Sequence, residues 1–256
     1  MTQDILVTRA GHVVQAELNK PPSNYFDEPM LTALGDLLEE LADDPQCRAV
    51  VLCAAGKHFC AGADFSSRTG VGEDGGEGAG RIYRQAVRIF AANVPIVAAV
   101  QGSAVGGGLG LACAADFRVA SPETRFVANF SRLGFHQGFG LTVSLPEIVG
   151  GQLAKEMLYT GARIDGARAY AAGLADRLVP TEELRGAAHA LAEQIAAAAP
   201  LAVASIRATM RNGLADRVAV ALEHELAEQT RLRRTEDFAE GIQASLNRRD
   251  PVFHGR

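Results

Sequence analysis

The first apolar runs of the chain are short and rich in β-branched residues. ILVT (5–8) and VVQAEL (13–18) stand on either side of a turn centred on Gly11, which predicts a β-hairpin. The period then changes. Leucines at 31, 34, 37, 38 and 41 recur at helical spacing, Pro29 suits a first helical turn, and Pro45 ends the run. RAVVLCAAG (48–56) and IVAAV (96–100) are continuous apolar runs that read as buried strands. An amphipathic helix, RIYRQAVRIFAAN, precedes the second and stops at Pro95. FRVAS and TRFVANF predict further strands. Residues 66–80 are polar, glycine-rich and acidic at Glu73, Asp74 and Glu77, the composition of a mobile surface loop. After Gly140 the pattern is helical: helices over 165–173 and 181–199 flank LADRLV, and Pro200 opens a long helical tract. Strands alternating with helices, followed by helices alone, predict an α/β core with a helical C-terminal part.

Composition narrows the function classes. The 256 residues are 48% hydrophobic and 21% charged, which suits a globular protein with a sizeable core. A net charge of −5 argues against a nucleic-acid surface as the main business. The four cysteines have neither C-x-x-C nor zinc spacing, so no metal site is expected, and reduced buried thiols in a cytoplasmic protein are. The N-terminus lacks a signal-peptide pattern, and no apolar stretch reaches the ~20 residues of a membrane span, so no membrane partner is expected.

Two glycine turns carry the chemistry. AVGGGLGLACAAD (104–116) follows a predicted strand and opens a predicted helix, although glycine inside a helix costs about 1 kcal/mol against alanine. The first N–H groups of a helix have no partner within it and carry the positive end of its dipole. Glycine lets another group approach them closely. Dinucleotide binding fits poorly: Gly106 and Gly108 give G-x-G, but Leu111 stands where the third glycine belongs, and the lysine of a phosphate loop is absent. Tight helix–sheet packing with no ligand is a second reading. An oxyanion hole is a third, and needs two N–H donors from separate places, about 3 Å from one developing charge. KHFCAGADF, another glycine turn after a strand, offers the second donor.

HFCAGAD (58–64) together with IVAAVQGSAVGGGLGLACAAD (96–116) resembles the crotonase, or enoyl-CoA hydratase/isomerase, superfamily. The similarity runs almost end to end through LNKP, GLADRLVP (173–180) and DFAEGIQASLNRRDPVF. The resemblance implies an α/β fold, the crotonase (ClpP-like) spiral of ββα units. That core would span 1–195 and carry the thioester site, with a C-terminal helical trimerisation region over 196–256. It implies an acyl-CoA thioester as substrate, coenzyme A being part of that substrate, with no tightly bound cofactor. It implies self-association as a trimer or dimer of trimers. The Ala63 and Gly107 N–H groups would hold the thioester carbonyl oxygen. Ala61, Asp64, Gly106, Phe130 and Gln137 would lie against the substrate, and Lys20, Arg248 and Arg249 would meet the coenzyme's phosphates, although solvated surface charge explains those three equally well.

The chain departs from the hydratases of that superfamily. Their two catalytic glutamates map to Gly110 and Phe130, and the aspartate of dienoyl isomerases and dehalogenases maps to Gly138. None of the three residues found there moves a proton. His136, in LGFHQGFG (133–140), is the catalytic candidate that remains, since an imidazole exchanges protons near neutral pH. A histidine bonded to main chain is the alternative. Cys60 reads as a small buried residue and His58 as a turn residue. The expectation is an isomerase, decarboxylase, C–C hydrolase or thioesterase rather than a standard hydratase. The alternatives are a non-catalytic acyl-CoA-binding protein and, more remotely, a nicotinamide enzyme.

Overall fold

The computed structural model describes residues 4–63 and 77–256. β1 (Ile5–Ala10) and β2 (Val13–Leu18) form the expected hairpin, with Ala10 opposite Val13. α1 (Glu28–Asp43) begins at Asp27, whose carboxylate accepts from the Met30 N–H, and its leucine stripe is buried. β3 (Ala49–Ala54) leads toward α2 (Glu77–Ala91) and β4 (Ile96–Val100). α2 starts earlier than its composition suggests. Residues 77–80, expected in the loop, are helical, because buried Ala79 extends the stripe of Ile82, Tyr83 and Ala86 by one turn. The rest of the expected loop, with Glu73 and Asp74, lies outside the described residues.

β5 (Ser103–Val105), α3 (Gly107–Ala114), β6 (Phe117–Ala120) and β7 (Arg125–Val127) follow. α4 (Leu141–Thr160), β8 (Arg163–Asp165), α5 (Gly166–Ala171), β9 (Arg177–Leu178) and α6 (Leu184–Ala197) complete the core. The tract after Pro200 is three helices, α7 (Pro200–Met210), α8 (Leu214–Leu232) and α9 (Glu236–Leu246). Gly213, at φ 70°, breaks the first pair, and Thr235 caps α9 by accepting from the Phe238 N–H.

The larger sheet has the order β1-β2-β3-β4-β6-β9, parallel except for the β1–β2 pair. Its central strands β3 and β4 are buried on both faces. Ala49, Val51 and Cys53 point toward Leu184, Ala188 and Ala192 of α6, while Val50, Leu52 and Ala54 join the main core on the other side. The second sheet, β5-β7-β8, is small, and its first strand runs directly into the turn that starts α3. α8 packs against both α2 and α4, which brings the C-terminal region over the core. Asp116, after α3, accepts from the Ile96 N–H at 2.8 Å, Arg207 Nε at 2.9 Å and an Arg211 guanidinium N–H at 3.2 Å, and so ties α7 to the strand ends.

Candidate active site

The two glycine turns are built against each other. Asn24 is fully buried, and its Nδ2 donates to the Ala55 and His58 carbonyls at 2.7 Å each. From the same loop the Ser23 carbonyl accepts from Ala61 N–H at 2.9 Å, and Phe26 N–H donates to the Gly62 carbonyl at 3.0 Å. On the far side Cys60 N–H donates to Ser103 at 3.1 Å and Val105 N–H to Cys60 at 3.0 Å. Residues 60–63 are thus clamped between the 20–26 loop and β5. Two glycines make the closeness possible. Gly106 adopts φ 56°, ψ −118°, and a Cβ on Gly108 would stand 2.1 Å from the Cys60 carbonyl oxygen. A Cβ on Gly62 would lie 3.7 Å from the Gly107 nitrogen, which measures how near the turns come. Gly107 is the first residue of α3, so its N–H has no acceptor within the helix. Among the described residues, no backbone carbonyl accepts from Ala63 or Gly107 outside helices and strands.

Ala61, Ala63, Gly106, Gly107 and Phe130 all line one cavity that opens to solvent. Phe26, Ile82, Phe135 and Phe139 make its apolar wall. The places mapped to proton-transfer groups hold aromatic or hydroxyl atoms instead. A Cβ on Gly110 would lie 2.7 Å from the Phe139 Cβ, and Phe130 packs on Phe135 with ring centres 5.6 Å apart. The polar lining comes from Tyr83, Asn129, Gln229 and Arg233. Burial, reinforced by the nearby Glu225 charge, pushes the Tyr83 phenol above its ordinary range; Arg233, the Phe139 N–H and Gln229 oppose this. Burial also raises the Glu225 carboxyl, against the pull of three donors: Gly140 N–H at 3.0 Å, Thr142 N–H at 3.0 Å and the Thr142 hydroxyl at 2.5 Å. The buried Cys60 thiol is pushed up to about 12, so it carries no nucleophilic thiolate at neutral pH.

The other expected residues that the structure describes stand elsewhere. His136 is half-buried, with Nδ1 2.9 Å from the Gln137 carbonyl and its ring edge-on to His224 at 5.5 Å. Gln137 donates to the Thr142 hydroxyl at 3.1 Å. Neither residue lines the cavity. Asp64 lies outside the described residues. Lys20 sits between Asp27 at 2.6 Å and Asp4 at 3.0 Å; burial alone would lower its pKa, but the two carboxylates outweigh it. Arg249 pairs with Glu240, and with Arg248 it borders a separate surface groove that also includes Arg132 and Arg163. Among the described residues no group of three or more His, Cys, Asp or Glu side chains could hold a metal ion.

Tyr83, Gln229 and Arg233 were not anticipated. The available signal was a tyrosine on the apolar face of an amphipathic helix, since a buried phenol needs a polar partner. The partner itself comes from 146 residues away.

The profile of the enoyl-CoA hydratase/isomerase family matches residues 8–256. The chain belongs to that family. It is 33% identical over 262 residues to the carnitinyl-CoA dehydratase of Proteus mirabilis, with all of both chains covered. Two solved members of the enoyl-CoA hydratase/isomerase family have the same fold. The enoyl-CoA hydratase/isomerase of Pseudoalteromonas atlantica T6c gives a TM-score of 0.87 at 29% identity, covering 98% of this chain and 100% of that one. An enoyl-CoA hydratase of Mycobacterium avium subsp. paratuberculosis K-10 gives 0.88 at 28% identity, covering 99% and 100%. The crotonase fold and the acyl-CoA enzyme class are thereby established, and no single helix among the described residues is long and apolar enough to cross a membrane.

Proposed function

We propose that the chain acts on an acyl-CoA thioester whose carbonyl oxygen is met by the Ala63 and Gly107 N–H groups. In this reading the amides stabilise the enolate or tetrahedral oxyanion that develops as the thioester reacts. The single observation that carries it is the abutment of two backbone turns from distant parts of the sequence, both bordering the same largely apolar cavity. Preorganised N–H groups in such a setting act without reorganising as charge develops, and their effect grows as water is excluded. Coenzyme A enters and leaves as part of the substrate.

Gly110 and Phe130 provide no carboxyl group for adding or removing water, which favours isomerisation, decarboxylation, C–C hydrolysis or thioester hydrolysis over hydration. The name of the Proteus mirabilis relative favours a second reading, dehydration of a hydroxyacyl thioester. A panel of acyl-, enoyl-, hydroxyacyl- and malonyl-type CoA thioesters, followed by mass, separates these outcomes. Gain or loss of water supports the second reading, any other turnover supports the first, and binding without turnover supports a silent acyl-CoA-binding protein. A trimeric or hexameric assembly accompanies the proposal. The exposed apolar residues Leu201, Ile206, Met210 and Val220 on α7 and α8 are material for such contacts, and light scattering of the purified chain tests it.

A further inference from the structure

Gly138 is a glycine for want of room. A Cβ there would lie 2.0 Å from Tyr83 Oη and 2.7 Å from Gln229 Nε2. The loop before α4 thus omits a side chain, and α2 fills the place with a hydroxyl. That hydroxyl is aimed by a chain of hydrogen bonds. Gln229 Nε2 donates to the His136 carbonyl at 2.8 Å, which turns Oε1 toward Tyr83, and Tyr83 Oη donates to that oxygen at 2.8 Å. Gln229 lies on α8 four residues after Glu225, whose carboxylate holds the Gly140 and Thr142 N–H groups. One helix therefore fixes both the loop and the phenol. Tyr83, Gln229 and Gly138 border the same cavity as Ala63 and Gly107.

Building on the thioester reading above, we propose that Tyr83 is the proton donor of this cavity, that Gln229 is its positioning residue, and that the substrate is a 2-carboxyacyl thioester of the malonyl type. A phenol has an ordinary pKa near 10, so at neutral pH it holds its proton. It gives that proton to a carbanion readily and is a poor base toward an α-carbon. The carbanion must then arise from another bond. Loss of carbon dioxide provides it: the bond from the α-carbon to the 2-carboxylate breaks, and its electron pair moves into the thioester as an enolate whose oxygen faces the Ala63 and Gly107 N–H groups. Rotation about the phenol C–O bond swings the Tyr83 proton from Gln229 to the α-carbon. The new C–H bond forms, the carbonyl is restored, and water reprotonates the phenolate. The sum is one proton consumed and one carbon dioxide released, with no redox partner. While the phenolate lasts, the Phe139 N–H and the Arg233 charge favour it.

The test is turnover of malonyl-CoA and methylmalonyl-CoA by the full chain in deuterated water, with product mass, kcat and KM recorded, beside calorimetric binding of butyryl-CoA. The expected result is loss of carbon dioxide with uptake of one deuterium at the α-carbon. Tyr83→Phe should lower kcat by about 10²-fold or more with KM little changed. Gly138→Ala keeps every polar group but displaces the hydroxyl, and should lower kcat in the same way; melting curves check that both variants fold. Full kcat in Tyr83→Phe overturns the proposal. So does a wild-type protein that binds butyryl-CoA yet converts neither malonyl-type thioester, and that result leaves the thioester reading standing. Failure to bind butyryl-CoA or either malonyl-type thioester overturns both.

Discussion

Gly107→Val puts a branched side chain where there is no room for one carbon. A Cβ at this position would lie 2.5 Å from Phe26 Cζ and 3.0 Å from Cε1. The Phe26 ring is 2% exposed and packs on Phe139 at 5.3 Å, so the room left to it is the cavity it lines. Strain that such a swing does not relieve falls on the start of α3 or on the clamped 60–63 segment. Overpacking of this kind costs about 1–3 kcal/mol of stability. For a chain of this size each kcal/mol lowers Tm by roughly 2–4 °C. The catalytic loss should be larger. In the proposed site, shifting the first residue of α3 would take one of two N–H donors away from the thioester oxygen, and losing such a donor costs about 10²–10³-fold in rate, or roughly 2.7–4 kcal/mol of barrier. The assay is kcat and KM on whichever CoA thioester of the panel is turned over, with a melting curve on the same sample. Gly107→Ala paired with Phe26→Leu serves as control, because the smaller partner makes room and should recover stability. A Gly107→Val protein that melts like wild type and keeps full turnover would refute the assignment of Gly107.

Three further outcomes follow from the geometry. Asp116→Ala strands the buried guanidinium of Arg207 and should cost about 3–5 kcal/mol in urea unfolding, with no specific effect on thioester affinity in the folded protein. His136→Ala should lower kcat far less than Tyr83→Phe, because the imidazole faces His224 rather than the cavity; a comparable or greater loss would restore His136 as the proton-transfer group. Burial raises the Glu225 pKa above its ordinary 4.5, so the folded state binds this proton more tightly than the unfolded state does. The stability it contributes is complete below that ordinary value and is lost as pH rises through the folded one. The Tm of wild type minus that of Glu225→Gln should therefore fall as pH rises from about 4.5, and a flat difference would show that Glu225 does not titrate this way.

The parts of the fold that were legible in the sequence are those whose physics is local. Alternating and continuous apolar runs placed β1 to β4, and Pro45 and Pro95 marked the ends of α1 and α2. The close approach of the two turns was legible for a similar reason: glycines at 62 and 106–108 announce main chain in close contact, and Ala63 and Gly107 line one cavity. The three-residue strand β8 was missed because its residues pair only through a distant neighbour, and Asp165, expected inside a helix, instead ends β8 and caps α5. His136 was chosen for its chemistry and for its place in a loop that the resemblance sets beside the acyl group. Its side-chain direction depends on how the 135–140 loop is held by Gln229 and Glu225, more than 80 residues further on. Tyr83 was hidden by the same distance, since nothing near it in sequence says what its hydroxyl meets.

The four-residue spacing of Glu225 and Gln229 on α8 gives that helix a single permitted axial setting. Sliding it by one turn, about 5.4 Å, would carry the carboxylate away from Gly140 and Thr142 at the same moment as the amide left Tyr83 and His136. The rod is indexed like a key in its wards: both sets of contacts hold at the same axial position.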